Sequence, residues 1–233
     1  MKARAVVVAE LDGYGRTRLT TLRSEPPLTL RPTSTALYVA TSAAGPLGGD
    51  DIALHVTVGP GATLTVRTVA AAVALPGARG DTSTLRLHLT AEGHLDFLPE
   101  PTIVADNASH HTEISAQVTG GLILREEAIL GRHGERGGRY RSSVYVDLAG
   151  LPLLRSDLTL DGTDPVSTGP SSAIAARATG SILYAGTAVP ATPPPAATTT
   201  AAALPLAGHG LLVTATAADG RTLRQRLDLL TAR

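Results

Sequence analysis

Three stretches of the chain repeat one pattern, and that pattern limits the possible folds more than any other feature. Leu54, Val56 and Val58 are followed by Gly59-Pro60-Gly61 and then by Leu64 and Val66. Leu85, Leu87 and Leu89 are followed by Glu92-Gly93 and then by Leu95 and Phe97. Ile114, Ala116 and Val118 are followed by Gly120-Gly121 and then by Leu122 and Leu124. Alternation of this kind puts every second side chain on one face of a strand, and the glycines supply the turn. The spacing from the last apolar residue before the turn to an apolar residue after it is constant: Val58 to Leu64, Leu89 to Leu95, Val118 to Leu124. The blocks recur at about thirty residues, the range of stacked supersecondary units. They predict a mainly β fold of stacked β-layers, either a sandwich or a β-solenoid. Hairpins in an ordinary all-β chain fall at similar intervals, so stacking is the expectation to test.

The composition fits such layers. The 233 residues suit one large all-β domain or two small ones. Phe97 is the only phenylalanine, Met1 the only methionine, and there is no tryptophan, so the core must be built from Leu, Val, Ile and Ala. A formal net charge of zero argues against a general nucleic-acid binder. The absence of cysteine excludes disulfides, thiolate metal sites and a cysteine nucleophile. The N-terminus carries no apolar h-region of signal-peptide length, and no apolar run approaches the ~18 residues of a membrane span. The chain therefore reads as soluble and cytoplasmic, with no membrane partner.

Other elements are less regular. Ala5–Ala9, Arg16–Ser24, Leu28–Leu30 and Ala36–Ala40 read as strands, as do Val144–Leu148, Leu153–Leu160 and Leu211–Ala215. Ala70–Ala74 reads as a short helix or a strand. Arg125–Leu130 has helix formers inside a strand pattern. Asp161–Ser172 reads as loop. The Pro/Ala/Thr-rich residues 188–206 read as a connector between a β-rich core domain (1–187) and a C-terminal unit (207–233). That last unit ends in a helix with Asp219 or Thr222 as N-cap and Leu223, Leu227 and Leu230 on one stripe, which covers the core or a partner. One or two C-terminal helices are expected.

The candidate chemistry is sparse. The loop Gly45-Pro46-Leu47-Gly48-Gly49-Asp50-Asp51 feeds a strand at Ile52, not a helix, which removes the phosphate-cradle reading. It is a β-turn that positions Asp50 between two stacked layers, where Asp beside Gly can bond its own backbone. Seven histidines include His110-His111, near Asp106 and Glu113, His94 two residues from Asp96, and His133 beside Glu135. Imidazole with carboxylate suits a divalent transition metal, but no helical H-E-x-x-H spacing occurs. Asp50, Glu135, His110 and His111 are the candidate ligands. No G-x-S-x-G nucleophile element is present. The adjacent acids Glu126-Glu127 face opposite sides of a strand and make no acid/base pair. Gly131-Arg132-His133-Gly134-Glu135 is either an acidic-partner site or a hairpin tip in which Arg132 pairs with Glu135.

Taken together, Leu47–Asp51, the Gly61-Ala62 turn, Leu95-Asp96-Phe97-Leu98-Pro99-Glu100-Pro101-Thr102-Ile103 and Leu130–Glu135 resemble, in that order, the UreD (UreH) family of urease accessory proteins. The resemblance covers roughly residues 16–160. It departs after the Gly-Ala turn, where Arg67-Thr68-Val69 stands in place of a Thr-Thr-Gln segment, and in the shortened Gly131–Glu135 motif. It implies a β-rich scaffold and not an enzyme. It further implies binding to apo-urease, to the helical partner UreF and through it to the GTPase UreG, with nickel passed to urease along a tunnel and none bound stably as a cofactor. Gly48, Gly49, Pro99, Pro101, Gly131 and Arg132 match its motifs as backbone-shaping residues, and Asp50 and Glu135 match as acids, Asp50 either lining the implied metal path or capping its turn. Leu223, Leu227 and Leu230 are the expected partner-docking stripe. Two other readings stand beside this one: a β-rich binding module with no metal role, and a carbohydrate-active β-solenoid enzyme, which the 3% aromatic content disfavours.

Overall fold

A computed structural model describes residues 1–164, 176–191, 198 and 200–230. In chain order the strands are β1 (Lys2–Leu11), β2 (Thr17–Ser24), β3 (Leu28–Pro32), β4 (Leu37–Thr41), β5 (Asp51–Val58), β6 (Thr63–Thr68), β7 (Ala72–Ala74), β8 (Ser83–Ala91) and β9 (His94–Leu98). They continue with β10 (Thr102–Val104), β11 (Ser109–Val118), β12 (Gly121–Leu130), β13 (Arg139–Leu148), β14 (Leu151–Asp161), β15 (Ala178–Gly186), β16 (Ala201–Pro205) and β17 (Gly210–Ala217). The one helix among the described residues, α1, spans Gly220–Leu230.

The repeat is a genuine stack. Each block sends its first strand into one sheet and its second into the other: β5 to β6, β8 to β9, β11 to β12. Within the first sheet, in the order β14-β13-β11-β8-β5-β1-β2, the strands β5, β8, β11 and β13 run parallel. Leu54, Leu87, Ile114 and Val144 fall in register across it and form one interior ladder. In the second sheet β6, β9 and β12 are likewise parallel, with Leu64, Leu95 and Leu122 in register. The chain returns between layers through β7 and β10, which pair with each other, β10 also pairing with β12.

The turns stack as closely as the strands. Glu92 N and Gly93 N donate to Val58 O at 2.9 and 3.1 Å, and Thr119 N and Gly120 N donate to Ala91 O at 3.0 Å. A Cβ on Gly93 would overlap the Ala62 and Gly59 carbonyls, and one on Gly120 the Gly93 and Glu92 carbonyls. Here glycine is required by the close approach of the neighbouring coil's backbone.

The stack is closed at both ends by antiparallel hairpins: β2 on β1, and β14 on β13. Residues 125–130 continue β12, and residues 72–74 are strand β7, so neither stretch is helical. Strand pairing decides the matter over propensity: residues 125–129 pair antiparallel with β15, 128–130 pair parallel with β10, and β7 pairs parallel with β10. In the segment read as a connector, Ala201–Pro205 forms β16, antiparallel to β17. Residues 192–197 and 199 lie outside the described residues, as do 165–175, which include 165–172 of the expected loop, and 231–233.

The leucine stripe of α1 is the main correction. Leu223, Leu227 and Leu230 are 0%, 0% and 2% exposed, packed with Ala201, Ala203, Ala215 and Val213 of the chain's own sheet. They are core residues and present no docking face. The sheet floor beneath them is built from small residues, which lets the helix settle close: a Cβ on Gly180 would stand 3.1 Å from Leu227 Cδ1. An isolated eleven-residue helix is marginal in water, so this burial is what holds it. Asp219 is the N-cap, accepting the Thr222 amide at 2.8 Å.

Candidate functional site

Followed away from the stacked turns, the interior changes from aliphatic to polar. The same inward positions that hold Val56, Leu89 and Val118 near the turns hold Ser83, His110, Thr112, Tyr140 and Ser142 at the far end of the first sheet. On β12 the inward series Leu122, Leu124 continues as Glu126. Between these walls lies a cavity of about 280 Å³. Its lining includes Asp50, His110, Thr112, Glu126 and Tyr140, with a mouth formed by small residues of the loops at 43–46 and 69–71 and by Pro99 and Glu100.

A chain of hydrogen bonds runs along the polar wall. Ser83 Oγ lies 2.8 Å from His110 Nδ1, and His110 Nε2 lies 3.4 Å from Thr112 Oγ1. The Tyr140 hydroxyl is 3.3 Å from Thr112 Oγ1 and donates to Glu126 Oε1 at 2.9 Å, where Ser142 also donates at 2.6 Å. A phenol has one proton, so when it goes to Glu126, Thr112 donates to the phenol oxygen. Burial, with the neighbouring His111, pushes His110 down to about 4, so it is neutral at neutral pH. Burial raises Glu126 above the usual carboxylate range, partly offset by the bonds from Ser142 and Tyr140. Burial and the Glu126 carboxylate hold the Tyr140 phenol well above its ordinary value.

Charged groups fix the mouth. Arg125 donates to Leu98 O at 3.2 Å and to Pro99 O at 2.8 Å. Glu127, on the opposite face of β12 from Glu126, accepts two bonds from Arg224 of α1 at 2.7 and 2.6 Å. Glu100 completes the cluster, 3.6 Å from Arg125 and 3.3 Å from Arg224, while its amide donates to Thr68 Oγ1 at 2.8 Å. The Pro101 carbonyl accepts the Ala72 amide at 3.0 Å. Pro99 and Pro101 thus shape a loop that the helix locks from outside.

The sequence-derived candidates divide. Asp50 does both things expected of it: one oxygen accepts the Leu47 amide at 2.9 Å, closing the turn, the other accepts the Met1 ammonium at 2.7 Å, and the carboxylate lines the cavity. Burial works to raise Asp50, but these bonds outweigh it and its pKa is lowered. Gly48 is required where loop 77–81 crosses, since a Cβ would overlap the Asp81 carbonyl and the Gly77 backbone; Gly49 has φ +87°.

His110 and His111 point to opposite faces of β11. His111 sits on the outer face, 3.1 Å from Ser143 Oγ and 3.2 Å from Glu113 Oε1. It borders a second groove, of about 530 Å³, with Arg139, Arg141 and Asp161. Glu135 closes its own turn. It accepts from Arg132 N at 2.9 Å and Arg132 Nε at 2.7 Å, and these bonds hold it down to about 2. Gly131 opens that turn with φ +75°. Neither Glu135 nor His111 lines the cavity, so the four proposed metal ligands do not form one path. Among the described residues no three His, Asp or Glu side chains are placed to hold one ion.

Tyr140, Ser83 and the Arg125–Glu127–Arg224 cluster were not singled out in advance, and Glu126 was considered only as half of an acid/base pair. The signal for Glu126 was present: it continues the inward alternation of Leu122 and Leu124. Ser143, His111 and Glu113 stand in the order of a nucleophile, base and orienting acid. However, Ser143 gives its proton to Asp157 at 2.6 Å, and the β13 amides beside it are committed to the sheet ladders. The array is a surface hydrogen-bond network.

Fold and site together define a coiled two-layer β protein with a small-residue mouth opening on a polar interior wall. The chain belongs to the UreD urease accessory protein family, whose profile matches residues 1–233. Among its relatives, Urease accessory protein UreD of Parafrankia sp. (strain EAN1pec) is 43% identical over 99% of this chain and 88% of that protein. UreD 3 of Streptomyces griseus subsp. griseus is 42% identical over 98% and 95%, and UreD of Frankia alni 40% identical over 99% and 92%. No helix among the described residues is long and apolar enough to cross a membrane.

Proposed function

We propose that this chain is a non-enzymatic scaffold in urease maturation, binding apo-urease in the cytoplasm together with UreF and the GTPase UreG, and giving nickel a route to the urease active site without retaining it. The observation that carries this reading is the cavity between the layers, with Asp50, His110 and Glu126 on its wall and Glu100 and Glu127 at its mouth. Its donors are oxygen and imidazole only, and they are spread along the wall. Such donors taken one or two at a time hold a borderline divalent ion weakly, which suits a cargo and not a cofactor. The small side chains of the mouth, Ala43, Ala44, Ala70 and Ala71, leave it open where Phe or Trp would fill it.

The test is co-expression with the apo-urease subunits, with and without UreF. The chain is expected to co-purify with apo-urease, and urease made in its absence is expected to lack nickel. Failure to co-purify with either partner, together with fully active urease after its deletion, overturns the reading.

A further inference from the structure

The outer face of the first sheet carries a second feature, independent of the cavity. His55 of β5 and His88 of β8 are paired in parallel register, so both imidazoles project from the same side of adjacent strands. Their rings stack with centroids 4.5 Å apart and planes 25° apart. Ser115 of β11 is next in the same row and lies 2.9 Å from His88 Nδ1. When Nδ1–H donates to that hydroxyl, the Nε2 lone pair of His88 is left free, the arrangement by which an outer-shell partner orients a metal-ligating histidine. His55 has no hydrogen bond from its ring among the described residues; its contact is the stack itself.

The carboxylates of this face are engaged elsewhere. Asp51 pairs with Arg86, and Glu113 accepts Arg86 Nε at 2.9 Å. The two imidazoles are therefore the uncommitted donors of the face. We propose that His55 and His88 form a surface binding site for a borderline divalent transition ion, nickel(II), zinc(II) or copper(II), held through the two Nε2 atoms with water completing its coordination.

The stacked rings carry their lone pairs side by side, so binding requires the planes to splay until both nitrogens reach about 2.0–2.1 Å from one ion. Rotation about χ2 of histidine is soft enough to allow it. Arg4 of β1 opposes the ion; after burial, it lowers the His55 pKa together with His88, whereas Arg86, two residues from His88 on the same face, is held by Asp51 and Glu113. Arg4 therefore sets the affinity below what the ligands alone would give, and its removal has a predictable sign.

Titration of the purified full chain with nickel(II) chloride, followed by calorimetry, tests the site. One site is expected that weakens about tenfold or more in His55→Ala and in His88→Ala, since even loss of an outer-shell partner costs that much. The double variant should bind no more tightly than either single one, and Arg4→Gln should bind more tightly. His94→Ala, whose ring is already bonded to Asp96 at 2.9 Å, should bind as the parent does. Binding that survives both His55→Ala and His88→Ala, or that is lost in His94→Ala, overturns the assignment.

Discussion

Acid should weaken the protein through one buried imidazole, and the size of the effect follows from where His110 sits. In the unfolded chain its pKa is the ordinary 6.5; in the folded protein burial holds it at about 4. Between those values the unfolded chain binds a proton that the folded protein refuses. The stabilisation from keeping His110 neutral is thus complete above pH 6.5 and is lost as the pH falls toward about 4. The full gap is worth about 3 kcal/mol, of which about 2.5 is lost by pH ~4.5. Glu126 has the opposite sign: its raised pKa makes acid favour the folded state. The wild-type curve alone therefore mixes the two. His110→Gln keeps Glu126 and keeps polar atoms facing Ser83 and Thr112, so the difference between the two proteins isolates the imidazole. Urea unfolding followed by circular dichroism at about pH 7.5 and 4.5 gives that difference. It should shrink by about 2.5 kcal/mol on acidification. A difference constant within about 0.5 kcal/mol would mean that His110 titrates as it does in water and that the buried chain from Ser83 to Glu126 is misdescribed.

Three further outcomes follow from packing. Glu127, 1% exposed between Arg125 and Arg224, should cost about 3–5 kcal/mol when replaced by alanine, because two partly buried guanidinium groups lose their anion; chemical denaturation reads this directly. Leu227→Ala should destabilise by about 2–5 kcal/mol, whereas Leu229→Ala, on the 77% exposed side of the same helix, should stay within about 0.5 kcal/mol. Gly93→Ala should cost about 1–3 kcal/mol or more by forcing apart the stacked turns, and amide exchange at Glu92 and Gly93, bonded to Val58 O, should accelerate with it.

The coiled stack was legible in the sequence because parallel coils leave a periodic trace: the same alternation, the same turn and the same spacing three times. The alternation also placed Glu126 and Glu127 on opposite faces; the same rule separates His110 from His111, which had been grouped as ligands of one metal. What local pattern does not carry is which face becomes interior after the layers close. The residues 125–127 have helix-forming character, and only their antiparallel pairing with β15 makes them strand. Asp50 as a turn cap was readable from Asp beside Gly. The cavity was not, because its wall joins side chains from separate strands: Ser83 and His110 are 27 positions apart, Thr112 and Tyr140 28. The leucine stripe of α1 was read correctly as a surface needing cover. Whether that cover came from this chain or a partner depended on β15–β17 carrying Ala and Gly beneath it, a fact about tertiary arrangement and not about the helix.

The most direct test of the account is to close the mouth of the cavity without disturbing the core. Ala71 is exposed and lines the opening, so Ala71→Trp fills it while leaving the stacked ladders intact. The measurement is the nickel content of urease purified from cells carrying this variant, by mass spectrometry of the metal, alongside co-purification of the variant with apo-urease. The account predicts that the variant still binds apo-urease and that the urease emerges with little nickel. Urease fully loaded with nickel from such cells would contradict it.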